Sequence, residues 1–332
     1  MLRQALNVFA VRPDFDLQLM SPNQSLAELT AQLLQALPAV LTQAKPDLTV
    51  VQGDTATTFC GALSSFYAGV EVAHVEAGLR TGRPRAPFPE EMNRLLTSRL
   101  ATLHFPATES AANNLRREGI PDEAIEVTGN TGIDAVMAAR QRLEAGTSSG
   151  LPLALLDTAK RLIVVTAHRR ESFGSELENI CHAVLKLAER GDVQIVWPVH
   201  RNPNVREPVE SLLRGQRNIL LLAPLDYLPF VDLMLRSYLL LTDSGGIQEE
   251  GPSLGKPVLV LRKVTERPEA VEAGTVRMVG TEVDAIVTAC GRLLDRAEEY
   301  RSMARLHNPY GDGHACERVA RRISAHLGAA LP

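Results

Sequence analysis

Short runs rich in Val, Ile and Leu alternate with longer amphipathic stretches from residue 48 almost to the carboxyl terminus. Brief apolar runs bounded by turn-forming residues read as buried strands, and longer stretches with apolar residues at helical spacing read as helices. Strands are expected at 48–52, 70–75, 103–105 and 125–128, with helices at 57–67, 89–101, 109–118 and 134–144. A second series follows the small-residue stretch 146–152, which suits a linker. It has strands at 161–166, 194–199, 218–222, 238–242, 257–261 and 276–279, with helices at 176–189, 203–213, 227–236, 246–253 and 282–295. Such alternation predicts parallel sheets covered by helices. The expected class is α/β with two doubly wound domains, residues 1–145 and 146–312, and a last segment, 313–332, whose helix packs back on the first domain. Ligands of such sheets sit outside the carboxyl ends of the strands.

The 332 residues are roughly twice a typical domain length, in keeping with two domains. Thirty-five basic residues against 39 acidic ones give a net charge of −4, which argues against a general binder of nucleic acid or anionic membrane. An anionic ligand must therefore be held locally. Arg236 interrupts the longest apolar run, 233–241, which falls short of the ~18 residues that cross a membrane. Cys60, Cys181, Cys290 and Cys316 show no Cys-x-x-Cys spacing, so a reducing cytoplasm is expected, without structural zinc. The opening residues lack the apolar centre and cleavage site of a signal peptide and read as the middle of a domain.

The strongest local signal is the apolar strand running into Asp243, Ser244, Gly245 and Gly246 at a helix start. Glycines let backbone N–H groups approach a phosphate, and the helix amino terminus adds partial positive charge. Glu250, about one turn further on, is placed to accept hydroxyl hydrogen bonds from a ribose. A simple Ser N-cap with tight helix–strand packing is the plainer alternative. Gly311-Asp-Gly-His follows no expected strand and is no dinucleotide fingerprint; a Walker A sequence is absent, and Asp14-Phe-Asp16 reads as a solvated turn.

Three carboxylates stand at expected element ends: Asp54 after the first strand, Glu76 after the second, and Glu90 opening a helix. Facing one cleft they would repel, raising at least one pKa toward the range useful for proton transfer. Their structural alternatives are an N-cap for Asp54, a salt bridge to Arg80 for Glu76 and a helix-dipole contact for Glu90. His168, followed by Arg169 and Arg170, ends the strand 161–166, where the cluster would stabilise a leaving diphosphate. His200 ends the next strand, and Arg267 would reach a phosphate or pair with Glu266 or Glu269.

Taken in order, Gln52-Gly-Asp-Thr, His74-Val-Glu-Ala-Gly-Leu-Arg-Thr-Gly82, Pro89-Glu-Glu, Gly129-Asn-Thr, His168-Arg-Arg-Glu-Ser-Phe-Gly, Pro198-Val-His, Thr242-Asp-Ser-Gly-Gly-Ile-Gln-Glu-Glu, Thr265-Glu-Arg-Pro-Glu and His307-Asn-Pro-Tyr-Gly-Asp-Gly resemble the bacterial non-hydrolysing UDP-N-acetylglucosamine 2-epimerases. The resemblance runs nearly the full chain. It implies two Rossmann-like domains around a cleft, as in glycosyltransferase-B folds, and a cytoplasmic homodimer. It further implies that Ser244, Gly245 and Gly246 hold the diphosphate, Glu250 the ribose, and Arg267 and Phe230 the nucleotide. Asp54, Glu76, Glu90 and His168 would surround the sugar, and Arg169, Arg170 and His200 would border an effector site for UDP-N-acetylglucosamine. Family members begin with a strand, a Gly-Thr-Arg-Pro-Glu-type loop and a helix bearing a lysine. Here Met1 matches an internal methionine, so the first domain is expected to be truncated at its amino terminus. Leu225 stands where close relatives often have glutamine.

The implied reaction converts UDP-N-acetylglucosamine to UDP-N-acetylmannosamine through a 2-acetamidoglucal, with no cofactor and no metal. A glycosyltransferase-B-type transferase, a hydrolysing epimerase and a catalytically impaired UDP-sugar-binding remnant are the alternatives.

Overall fold

The computed structural model describes residues 6–21, 23–169, 172–265, 267–304 and 308–329. Two compact units emerge, one holding Arg12–Asp134 with the chain from Tyr310 onward, the other holding Ala135–Pro309 with the chain up to Val11. The division falls within the helix Thr131–Glu144.

The first unit is built on a parallel sheet of β1 (Leu48–Gln52), β2 (Glu71–Val75) and β3 (Leu103–Phe105), in that order. Ala73, Val75, Leu103 and Phe105 pack under Val319 and Ile323 of the helix Ala315–Leu327. Asp134 fixes where that helix starts, accepting the N–H groups of Ala315 and Cys316 at 3.1 and 2.7 Å. Helix Ala56–Tyr67 contributes Ala62, buried with Val51 and Val72.

The structure departs from the pattern reading in two places here. A helix, Leu26–Ala44, precedes β1, and its start carries a reciprocal capping box between Ser25 and Glu28. Pro38 inside it masks the helical signal in the sequence. Residues 125–128 do not form the expected strand. Glu126 and Thr128 do donate to His104 and Pro106, but Pro106 has no N–H to return, and only an isolated bridge, His104 to Ile125, survives.

The second unit has a fully parallel six-stranded sheet with β4 (Arg161–Thr166), β5 (Val193–Pro198), β6 (Ile219–Leu222), β7 (Leu239–Thr242), β8 (Val258–Val260) and β9 (Val276–Met278). The order is β6-β5-β4-β7-β8-β9. The chain reverses its winding between β4 and β7, and this switch point is where doubly wound sheets open a crevice for ligands. Ile163, Val165, Ile195, Trp197 and Leu241 are buried against helices Ser175–Ala188, Pro203–Leu213 and Val283–Asp295. Near-continuous apolar strands are what a sheet covered on both faces requires. Among the described residues, no helix is long and apolar enough to cross a membrane, and all four cysteines are free.

Candidate functional site

In the first unit the polar residues gather where β1 and β2 end. The Gly53 N–H donates to the Val75 carbonyl at 3.0 Å, so the loops carrying Asp54 and Glu76 leave the sheet side by side. Buried His74 lies with Nε2 2.8 Å from the Gly53 carbonyl. Burial drives its pKa down to about 4, so near neutral pH the ring is uncharged and donates that bond. Glu76 adopts a left-handed φ of +62°, uncommon outside glycine, with its N–H bonded to Phe105 at 3.0 Å. Its Oε2 lies 3.4 Å from where a Cβ at position 53 would stand.

Asp54 is not the N-cap of the next helix, since Thr55 takes that place with its hydroxyl accepting from the Thr58 N–H. Its carboxylate instead accepts Nε and Nη2 of Arg94 at 2.9 and 2.7 Å, and its carbonyl accepts Nδ2 of Asn93 at 2.8 Å. Arg94 also reaches Glu91 at 3.1 Å. Glu91, 1% exposed, accepts the Thr81 and Gly82 N–H groups at 2.9–3.1 Å. One helix, Glu90–Leu100, thereby pins both loops, with Glu90 half-buried at its first position. The repulsion expected among the carboxylates is offset at Asp54 by Arg94. Arg80, the partner proposed for Glu76, forms a two-point pair with Glu118 at 2.7 and 2.9 Å.

In the second unit the site residues converge on the switch point. Thr166 and Thr242, at the ends of β4 and β7, share a 2.6 Å hydrogen bond. Just beyond, Asp243 is fully buried and its Oδ2 accepts the His168 and Arg169 N–H groups at 2.7 and 2.8 Å. The His168 ring stacks on His200, centroids 5.6 Å apart and planes 23° apart. Arg170 lies outside the described residues.

Ser244 occupies the N-cap of helix Gly245–Ser253 without a side-chain capping bond. Arg267 stands against this turn: a Cβ at position 245 would lie 2.5 Å from its guanidinium. A side chain at this position would displace the guanidinium from where it now lies. The guanidinium is held by Glu249, and both partners are largely buried; Glu266, one of the partners expected for Arg267, lies outside the described residues. Gln248 braces the same corner, bonded to Thr265 at 2.7 Å and to the Ser244 carbonyl at 3.2 Å. Gly251 has a packing role, since a Cβ there would press within 2.6 Å of Val258. Burial, reinforced by the charge of Glu249, lifts the Glu250 carboxyl to about 7. Burial and the Glu250 charge also raise the Tyr227 phenol above its usual value. Phe230 is half-buried one turn along the same helix, Tyr227–Arg236.

Arg94, Glu91, Asn93 and His74 had no assigned role in the sequence reading. The pair Glu91 and Arg94 does carry a sequence signal, the (i, i+3) spacing of opposite charges. A cavity of about 530 Å³ beside Arg201, Arg206 and Arg214 takes in none of the candidate residues. Among the described residues no group of three or more His, Cys, Asp or Glu side chains is arranged to hold a metal.

A parallel doubly wound sheet with a glycine turn, a buried carboxylate and an arginine at its switch point defines an α/β protein suited to an anionic ligand such as a nucleotide diphosphate. Comparison with known proteins makes the assignment specific. A family model described as UDP-N-acetylglucosamine 2-epimerase matches residues 1–324, and the chain belongs to that family. It is 54% identical to a probable UDP-N-acetylglucosamine 2-epimerase of Ralstonia solanacearum, covering 98% of this chain and 88% of that one. The UDP-GlcNAc 2-epimerase of Neisseria meningitidis, in a crystal structure bound to UDP-GlcNAc, superposes with a TM-score of 0.92 at 46% identity, again over 98% and 88% of the two chains. A Staphylococcus aureus protein in a co-structure with UDP gives a TM-score of 0.90 at 43% identity, over 99% and 88%.

Proposed function

We propose that this chain interconverts UDP-N-acetylglucosamine and UDP-N-acetylmannosamine, acting as a cytoplasmic homodimer. The observation that carries the reading is the match to the UDP-GlcNAc-bound Neisseria structure over 98% of the chain. In this assignment the unit holding Arg12–Asp134 supplies the acid–base carboxylates and the unit holding Ala135–Pro309 binds UDP.

The C2–H of the sugar is a weak acid, so its loss is coupled to departure of UDP. The C2–H bond breaks with its proton passing to a carboxylate, the electron pair becomes the C1=C2 bond of a 2-acetamidoglucal, and the C1–O bond breaks with its electrons leaving on UDP. Re-addition delivers a proton to the opposite face of C2 while a diphosphate oxygen attacks C1. Asp54, Glu76 and Glu90 are assigned to these proton transfers. Arg94 fits the task by holding Asp54 at a defined position. His168, Arg267 and the Ser244–Gly246 turn are assigned to the diphosphate, where charge develops as it leaves. Phe230 and Glu250 are assigned to the nucleoside. The effector assignment for Arg169, Arg170 and His200 is part of the same proposal.

Incubation of the protein with UDP-N-acetylglucosamine in D₂O tests the reading. Deuterium is expected at C2 of UDP-N-acetylmannosamine and, through reversal, at C2 of recovered substrate. Epimerised product without deuterium would overturn proton exchange with solvent. Accumulation of free N-acetylmannosamine and UDP instead would identify a hydrolysing enzyme.

A further inference from the structure

We infer that Asp243 is the positioning residue of His168, binding the imidazole through Nδ1 so that Nε2 is the atom offered to the ligand. The inference rests on the proposed role of His168 at the departing diphosphate.

Asp243 is fully buried, an expensive place for a carboxylate unless donors surround it. Its two oxygens face different partners. Oδ2 accepts the His168 and Arg169 backbone N–H groups, which fixes the chain as it leaves β4. Oδ1 makes no well-aligned hydrogen bond and lies 3.2 Å from Nδ1 of His168. A purely structural carboxylate would be satisfied by the backbone alone, whereas here one oxygen is left for the ring. Burial alone would raise the Asp243 pKa, but the His168 ring and the two backbone donors outweigh it and hold the value below the ordinary one. Asp243 is therefore an anion near neutral pH, able only to accept, so the ring nitrogen facing it carries the proton.

The other ring face is also restrained. His200 stacks on His168, and its own Nδ1 is occupied by the Asn202 N–H at 3.1 Å. Carboxylate behind and imidazole alongside leave Nε2 as the ring atom free of protein partners among the described residues. When Nε2 holds a proton toward a diphosphate oxygen, the resulting charge has its counter-charge 3.2 Å behind it. The carboxylate then acts through the histidine, as in other Asp–His pairs, without touching the ligand.

The test uses the full chain with ¹⁵N-labelled histidine. In the wild type at a pH where the ring is neutral, the His168 signals, assigned by their loss in His168→Gln, are expected to report the Nδ1–H tautomer. An Nε2–H tautomer overturns the inference, and this readout needs no mutant of Asp243 to fold. Asp243→Asn preserves shape and keeps an acceptor for the two backbone N–H groups, but turns an amide N–H toward Nδ1. It is expected to flip the tautomer and lower kcat on the order of 10²-fold, with KM changed far less. Wild-type kcat in Asp243→Asn overturns the inference. The double variant His168→Gln/Asp243→Asn is expected to be no slower than His168→Gln, because the two act as one unit; additive losses would show that Asp243 works through something else. Should His168→Gln alone epimerise at the wild-type rate, the proposed role of His168 fails, while the tautomer measurement still decides whether Asp243 sets the ring.

Discussion

The two units use parallel strand ends in opposite ways. At the end of β1 the first unit builds with charge: Asp54, Arg94 and Glu91 form a continuous ionic chain, with Glu91 and Arg94 nearly excluded from solvent. At the end of β7 the second unit builds with backbone, presenting the amino terminus of helix Gly245–Ser253 and a glycine that lets Arg267 approach. The sheets beneath differ in the same sense. β7 is buried at every position and sits fourth of six strands, while β1 is an edge strand with Val50 51% exposed. In the first unit the directional ion pairs of Arg94 tie the loop after β1 to helix Glu90–Leu100, at a cost in desolvation. The wide sheet of the second unit also carries a buried ion pair, Arg267 with Glu249, but there the pair braces a helix start that has no side-chain cap, and the Ser244 N–H turns back to the Thr242 hydroxyl at 2.9 Å.

The largest effect is expected from Glu91→Ala. It strands the Thr81 and Gly82 N–H groups and removes one of the two carboxylates on buried Arg94, so the chain is expected to lose about 3–5 kcal/mol of stability. Urea unfolding measures this; a loss under about 1 kcal/mol would mean that the ionic chain does not hold the loops. In the second unit the matching break is Gly245→Ala, which pushes a methyl group into the Arg267 guanidinium. UDP affinity by calorimetry is expected to fall roughly tenfold, equivalent to about 1.4 kcal/mol, with little change in stability. Unchanged affinity would separate Arg267 from the turn.

A further effect concerns pH. Glu250 keeps its proton up to about pH 7 in the folded protein, whereas an unfolded chain releases it near an ordinary carboxylate value of 4.5. Between those values the folded state binds more protons, so this group's contribution to stability is full below the window and lost as pH rises through it. Glu250→Gln is expected to flatten the decline of the melting temperature between about pH 5 and pH 8. Identical slopes for the two proteins would show that burial does not retain the Glu250 proton.

Much of the candidate site is legible because strand ends can be read from the sequence. Asp54, Glu76 and His168 each follow an apolar run closely, and the Ser244-Gly245-Gly246 turn interrupts the pattern where a strand must become a helix. The sequence alone therefore determined the element series, the parallel class and the residues at the strand termini, since periodicity reports local hydrogen bonding and the side of burial. In helix Leu26–Ala44 Pro38 interrupts the helical pattern, and at 125–128 a β-rich composition carries no information about the neighbouring Pro106, which has no N–H to complete a ladder. Which charges pair was decided only by the tertiary structure. Arg94 lies 40 residues from Asp54, and Asp243 lies 75 from His168. Electrostatic energy depends on separation in space and on the surrounding dielectric, and neither is encoded in local pattern. That is why Asp54 was visible as a strand-end carboxylate while Arg94, which holds it, became apparent only once helix Glu90–Leu100 was seen lying against the ends of β1 and β2.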